Sequence, residues 1–352
     1  MSRFKVFIVG PSLKTQGGIS SVNRVYIENF KDELNMKLIS SYYGKSRLVD
    51  VLYFINSIVS VLFYCLTTKN AIFHLTSASR GSFLRKSMLA RICKVFNKKV
   101  VFHIHGAEFD KFIESSGEKK KRSIIEFLKS VDKLIVLSEA WKSYFAKYVK
   151  PECMEVISNP CPFISEKYNG RKNKKLQMLF VGRMGQRKGT YDLIEAIRKL
   201  GSDKVQLQLF GDGDVIKVQE MVAQYGLDEI ISVNGWVSHE QLLKLYDSTD
   251  LLLLPSYAEG LPMAILEAMG RGLPIISTNV GGIPEAVIHE YNGYIINPGD
   301  VEDLKNKIEL FLKDADLIKI MGIRSLELSK EKFAIDSIKD KLKLIYKGLY
   351  SF

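Results

Sequence analysis

Cysteine is scarce in this chain, four in 352 residues, and Cys65, Cys93, Cys153 and Cys161 form no C-x-x-C or Cys/His ligand spacing. That excludes a disulfide scaffold and a zinc ribbon, and it fits reduced thiols in a reducing compartment. Histidine is equally thin, with five residues. His103 and His105, two apart, point to one face of a strand, but no third ligand stands near them, so no metal site is expected. Internal repeats and low-complexity tracts are absent. The beginning, Met1-Ser2-Arg3-Phe4, runs straight into a strand pattern, and no signal peptide is read there. Acidic residues are sparse in one half only: residues 1–165 hold 26 of the 51 Lys and Arg but 13 of the 39 Asp and Glu. The net charge of +12 therefore lies entirely in that half, which suggests an anionic surface as its partner, membrane or nucleic acid. Long apolar runs are also lacking, except for Asp50 to Leu66. That segment reads either as a helix packed on a sheet or as one lying in a membrane interface, and a span is disfavoured because Ala71-Ile72-Phe73-His74-Leu75 resumes a sheet pattern.

What is present is alternation of short apolar runs with amphipathic segments, the pattern of parallel α/β folds. A length of 352 residues suits two domains of roughly 150–200 residues each. The densest stretch is Leu251 to Glu285. A buried-strand run, Leu251 to Leu254, leads into Pro255-Ser256-Tyr257-Ala258-Glu259-Gly260. Pro262 then opens a helix through Met269, as proline suits a first turn. A second strand, Ile275 to Ser277, leads into Gly281-Gly282-Ile283-Pro284-Glu285. In open parallel sheets ligands bind beyond the carboxyl ends of strands, and helix-start amides there favour phosphate. Glu259 and Glu267, eight apart, offer two acceptors to a polyhydroxylated ligand; as an isolated pair they would read as solvated acids. Upstream, Gly182-Arg183 and Lys188-Gly189 share one strand-to-helix turn. Two cations there hold a diphosphate and stabilise the charge of its departure, or they form an ordinary surface pair. Gly211-Asp212-Gly213-Asp214 is no dinucleotide fingerprint, because the third glycine is missing.

Taken together, Pro255-Ser256, Glu259-Gly260-Leu261-Pro262, Glu267-Ala268 and Gly281 to Glu285 resemble the E-x7-E signature of family 4 glycosyltransferases, and Gly182-Arg183 and Lys188-Gly189 match the family's donor-phosphate residues. The resemblance implies a GT-B fold, two Rossmann-like domains facing across a cleft with the last helix crossing back to the first. The boundaries expected are 1–165, 166–335 and 336–352, with Glu166 to Lys175 as linker. It implies that Glu259 contacts the transferred sugar and Glu267 the ribose hydroxyls. Gly260, Leu261 and Pro262 line the donor site with Gly182, and the backbone at Val237 meets the nucleobase. Gly17 and Gly18 in the first loop face the phosphates and the acceptor, and His105 reaches the donor sugar.

The reading is a metal-independent retaining glycosyltransferase with no cofactor. It would transfer a hexose or N-acetylhexosamine, with a UDP-sugar favoured as donor, to a saccharide acceptor linked to polyisoprenyl diphosphate. Its place would be surface polysaccharide synthesis (O-antigen or capsule), in the cytoplasm, peripheral on the inner face of the cell membrane. The basic runs Arg80 to Lys99 and Lys119 to Arg122 are expected to meet anionic lipid. A GDP-mannose-dependent mannosyltransferase is the alternative donor class. A non-enzymatic sugar-nucleotide or nucleic-acid binder is the alternative of another kind; nucleic acid is disfavoured because the phosphate-site residues lie in the half without net positive charge. Alanine at Arg183 or Lys188 is expected to lower turnover and leave folding unchanged.

Overall fold

The computed structural model describes residues 4–166 and 174–350, apart from the side chain of His239. Most of the expected linker therefore lies outside the described residues. The chain divides into two compact units, residues 1–160 with 335–352, and residues 161–334.

In the first unit the elements run β1 (Lys5–Gly10), α1 (Gly18–Phe30), β2 (Met36–Ser40), α2 (Arg47–Thr67), β3 (Ala71–Ser77), α3 (Gly81–Val95), β4 (Lys99–Ile104), α4 (Phe109–Glu114), α5 (Glu118–Ser130), β5 (Lys133–Val136), α6 (Glu139–Phe145) and β6 (Met154–Val156). The second unit continues with β7 (Leu176–Val181), α7 (Thr190–Leu200), β8 (Val205–Phe210), α8 (Val215–Gln224), β9 (Ile231–Asn234), α9 (His239–Asp247), β10 (Leu251–Leu254), α10 (Met263–Gly270), β11 (Ile275–Thr278), α11 (Ile283–Ala286), β12 (Gly293–Ile296), α12 (Val301–Lys313) and α13 (Asp316–Lys332). The last helix, α14 (Ile335–Gly348), belongs to the first unit. It packs against α1 through Ile338, Leu342 and Tyr346, one buried residue per turn.

Each unit holds one six-stranded parallel sheet, ordered β2-β1-β3-β4-β5-β6 and β12-β11-β10-β7-β8-β9. Helices cover both faces of such a sheet, so central strands are apolar on both sides: β3 and β10 are buried throughout. Every crossover returns the chain to the same edge, so all loops after strands collect at the carboxyl end. Where the building direction reverses, between β1 and β3 and between β7 and β10, neighbouring loops diverge and leave a crevice.

Helix α1 has no side-chain cap: Gly17, at φ 127°, precedes its first turn, and the Ser20 hydroxyl donates to the Ser12 carbonyl at 2.9 Å. Helix α2 is not an ordinary packed helix. Only Ser57, Val61 and Cys65 are buried, because one narrow side meets the sheet. The basic segment from Arg80 to Lys99 is helical only in part and is not uniformly exposed. Its helix ends at Val95, Lys86 is buried, and Leu84, Met88 and Val95 are exposed.

Lys86 is an uncommon feature, an ammonium group enclosed in the first unit. Its Nζ donates to Ser41 Oγ at 2.5 Å, and Ser41 Oγ in turn donates to the Gly10 carbonyl at 3.0 Å. Burial, aided by the neighbouring Arg85 charge, pushes the lysine pKa down to about 7. A depressed lysine withholds stability as pH falls: the unfolded chain takes up its proton near pH 10.4, the folded chain only near 7. Stability should therefore rise between pH 7 and 10. Lys86→Met should raise the urea midpoint at pH 7 and flatten that rise; an unchanged slope between pH 7 and 9 would show that Lys86 is not the group responsible.

Candidate functional site

The crevice between β7 and β10 gathers the residues that the sequence singled out in the second half. The β7 loop turns at Gly182, makes a single 3-10 turn through Gln186–Lys188 and enters α7 at Thr190. The β10 loop runs from Pro255 to Pro262, which stands at the N-cap of α10 with φ −71°. The two loops are laced together. Tyr257 N–H donates to the Arg187 carbonyl at 2.8 Å, and Arg187 Nη1 donates to the Ala258 carbonyl at 3.1 Å. Contact is so close that side chains are excluded. Gly189 sits at φ 68°, and a Cβ there would lie 2.0 Å from the Pro255 carbonyl oxygen. The third loop, after β11, approaches as closely: Gly281 is at φ 57°, and its Cβ would lie 1.9 Å from the Glu259 carbonyl oxygen.

Across this seam Lys188 Nζ donates to Glu259 Oε1 in a short salt bridge, with side-chain exposures of 12% and 7%. The Ser256 hydroxyl donates to the same Glu259 oxygen at 2.9 Å. Glu259 is thus no solvated acid. Nor is Glu267, which is buried on α10 and accepts from the Tyr246 hydroxyl at 2.9 Å. Burial pushes Glu267 up to about 7, and the Tyr246 hydrogen bond only partly opposes it. Arg183, by contrast, is exposed, with Asp212 Oδ2 3.7 Å from its Nη1. The second loop carries Gly260, Leu261 and Pro262 as buried backbone between the two carboxylates. Val237 stands apart, half-buried in the turn after β9, two strands from β7.

In the first unit the corresponding reversal is between β1 and β3. Gly17 closes the loop after β1, Gly18 opens α1, and His105 follows β4. The histidines lie against each other: the His103 and His105 ring centroids are 4.0 Å apart, with the planes tilted by 36°. Behind them His103 Nδ1 bonds His74 Nε2 at 3.1 Å, and His74 Nδ1 bonds the Tyr346 hydroxyl at 2.6 Å. Burial holds His74 and His105 down to about 3; the His105 ring lowers His74 further, while a hydrogen bond with Asn159 partly opposes the shift of His105. His105 is a neutral imidazole, able to hydrogen-bond and unsuited to act as a cationic acid.

Sequence reasoning did not find Ser256, Tyr246, Asp212, His74 or Tyr346 as partners of these groups. Ser256 was quoted in the motif without a role; the others lie 21 to 272 residues from their partners, a separation that spacing alone does not bridge.

The double Rossmann-like architecture and its parallel sheets are those of the GT-B fold. The chain aligns with sucrose-phosphate synthase of Thermosynechococcus elongatus at TM-score 0.82 and 18% identity, covering 98% of this chain and 99% of that one. It aligns with Anabaena HepE, crystallised with UDP-glucose, at TM-score 0.79 and 17% identity, covering 98% and 100%. Residues 164–326 match the family Glycosyl transferases group 1, so the chain carries a glycosyltransferase group 1 domain. An uncharacterized glycosyltransferase of Methanocaldococcus jannaschii is 30% identical over 226 residues, 62% of this chain and 60% of that protein. The amylovoran biosynthesis glycosyltransferase AmsK of Erwinia amylovora is 28% identical over 247 residues, 66% of this chain and 60% of that one. The chain thus spans less than two thirds of the length of these curated relatives.

The salt bridge revises the expectation that Lys188→Ala spares folding. Removing one partner of a buried pair leaves an uncompensated charge, at a cost of about 3–5 kcal/mol. Lys188→Ala should lower the urea stability of the second unit by about that much, while Lys188→Met combined with Glu259→Gln should restore most of it. Equal losses in the single and double variants would show that the pair contributes nothing.

Proposed function

We propose that this chain is a retaining glycosyltransferase of bacterial surface polysaccharide synthesis. Its donor is a UDP-linked hexose or N-acetylhexosamine and its acceptor a saccharide carried on polyisoprenyl diphosphate at the inner face of the membrane. The observation that carries the reading is the Lys188–Glu259 pair at the reversal of the second sheet, with Glu267 buried on the helix that follows. Support comes also from relatives named for amylovoran and colanic acid biosynthesis and from HepE, whose crystals held UDP and UDP-glucose.

In this reading the donor diphosphate takes Lys188 away from Glu259, with Arg183 as the second cation. Glu259, released, accepts hydrogen bonds from hydroxyls of the transferred sugar. Ionised Glu267 accepts from the ribose hydroxyls, and Gly182 with the Gly260-Leu261-Pro262 backbone permits close approach. Val237 meets the base. The acceptor oxygen bonds to the anomeric carbon as the bond to the phosphate oxygen breaks. The electron pair leaves with the nucleoside diphosphate, whose oxygen takes the acceptor's proton on the same face, so the anomeric configuration is kept. Charge growing on that phosphate is what Arg183 and Lys188 stabilise. Neutral His105 supplies a hydrogen bond to the donor sugar, and the Gly17-Gly18 loop admits the acceptor.

Nucleotide release with an oligosaccharide acceptor tests the cations. Arg183→Ala should lose about 10²-fold or more in turnover with an unchanged urea midpoint, because its side chain is exposed; near-normal turnover would remove Arg183 from the reaction. Calorimetry separates the carboxylates. Glu259→Gln should weaken UDP-sugar relative to UDP, which no longer has to compete for Lys188, whereas Glu267→Gln should weaken both.

The Glu267 pKa also sets a pH dependence. Ribose hydroxyls donate to the ionised carboxylate, so binding favours loss of its proton. With the free carboxyl near 7, UDP affinity should rise from pH 6 to 8 and level off above. Glu267→Gln should flatten the profile; a profile that stays steep in that variant would assign the dependence elsewhere.

A further inference from the structure

Helix α2 exposes an apolar stripe along its whole length. Leu48, Leu52, Ile55, Val59, Phe63 and Leu66 recur every three or four residues and are exposed, Leu48 by 80% and Leu66 by 72%. Only 17% of its most apolar stretch is buried. Spacing of that kind normally marks the side of a helix that seeks a core. Here Val61 and Cys65 on the other side already meet the core of the first unit, together with Phe83 and Leu89 of α3. The neighbouring α3 repeats the pattern outward with Leu84, Met88 and Val95. A patch spanning two adjacent helices is larger than scattered exposed leucines would give, and such patches mark interaction surfaces.

Charge identifies the occupant. Residues 51–107 contain eight Lys and Arg and not one Asp or Glu; Lys86 is buried, Arg80 is paired with Glu108 and Lys94 and Lys99 with Asp132, and Lys69, Arg85, Arg91 and Lys98 make up the rest. The last acid before that run, Asp50, is occupied: its Oδ1 accepts from the Tyr43 and Gly44 amides at 3.1 and 2.7 Å. Two copies of this face would oppose like charges. A bilayer of anionic lipid offers both an apolar interior and a negative rim. Because one side of α2 is packed against β2 and α3, the helix lies along such a surface and does not cross it.

At the amino end of α2 the stripe meets an open cavity of about 420 Å³ lined by Tyr42, Lys45, Arg47, Asp50 and Arg85. That is within the size range of small-ligand sites. The Arg85 guanidinium lies 4.9 Å from the centre of the Tyr42 ring, and its Nε is enclosed without a hydrogen-bond partner among the described residues. Arg85 brings a guanidinium to this cavity, and phosphate is the acceptor that its planar fork matches.

We infer that α2 and α3 form a monotopic docking surface for an anionic bilayer, in which the α2 stripe enters the interface and the Arg85 cavity takes the phosphate of a lipid headgroup. This rests on the membrane partner of the function proposed above and not on glycosyl transfer itself.

Co-sedimentation with vesicles tests it, using phosphatidylcholine alone and phosphatidylcholine with phosphatidylglycerol. The protein should bind the mixed vesicles, and salt should weaken binding. Leu52→Glu with Ile55→Glu, both exposed and so compatible with folding, should reduce it about tenfold or more. Arg85→Gln should reduce it about fivefold, the loss of one basic contact of about 1 kcal/mol. Soluble glycerol phosphate should displace the protein only weakly, because it lacks the apolar contact. Vesicle binding unaffected by the double variant, or wild-type protein that ignores anionic vesicles and instead self-associates in sedimentation velocity, would overturn the surface. Glycerol phosphate that binds as tightly as vesicles would overturn the lipid as source. Calorimetry of the same variants with UDP keeps the two readings apart: vesicle binding without UDP binding would sink the transferase and leave the surface standing.

Discussion

The second unit is organised around one interaction, the buried salt bridge between Lys188 and Glu259. A carboxylate this enclosed stays ionised only with a cation and hydrogen-bond donors beside it, and Lys188 and Ser256 supply them. The requirement reaches outward through the chain. Lys188 must arrive from the β7 loop and Glu259 from the β10 loop, so the two strands must be neighbours, as they are only at the reversal of the sheet. The loops must touch, so Gly189 has no side chain to stand against Pro255. A pair built this way stores a ready exchange: an incoming anion can take the ammonium while the carboxylate finds hydroxyl donors. Preorganised charges that need little rearrangement are the chief means by which such sites act on developing charge.

Much of this was legible in the sequence. Strand runs ending in Gly-bearing loops located the carboxyl edge of both sheets, and the spacing of Glu259, Glu267, Arg183 and Lys188 marked the chemistry before any contact was visible. What the sequence withheld was burial and pairing. Glu267 looks like a helical surface acid until Tyr246, 21 residues upstream, closes over it. Lys86 looks like one more cation in a basic helix, although Ser41 holds it inside. Helix α2 failed in the opposite direction. Its composition implies a core, and only the sheet order reveals that β2 is an edge strand with too little surface to cover a helix of 21 residues.

Those misreadings share a cause. Periodicity tells which residues want to leave water and is silent on what receives them. For α10 the receiver is its own domain, and all eight of its residues are buried. For α2 the first unit receives only one side, and the composition of residues 51–107, devoid of acids, is the clue to the rest. Exposed apolar surface favours association, so a stripe retained beside a mainly cationic rim argues for a partner that rewards both.

Buried titratable groups make the same argument at smaller scale. Lys86 and Glu267 are both moved to about 7 by burial, from opposite directions, while His74 and His105 are held neutral near 3. None of these shifts favours a stable fold in itself; each is a charge, or the loss of one, that the folded state must tolerate. Only His105 stands just past a strand end; Lys86 lies on α3 and Glu267 on α10. A ligand that brings a missing counter-charge or hydrogen bond to such a group returns on binding the stability that the empty protein gives up. His74 lies deeper, within β3, and is answered by the Tyr346 hydroxyl of α14. The last helix therefore does more than close the first unit. Through Tyr346 and His74 it anchors a hydrogen-bonded run that ends at His103, whose ring lies against His105, the residue proposed to meet the donor sugar.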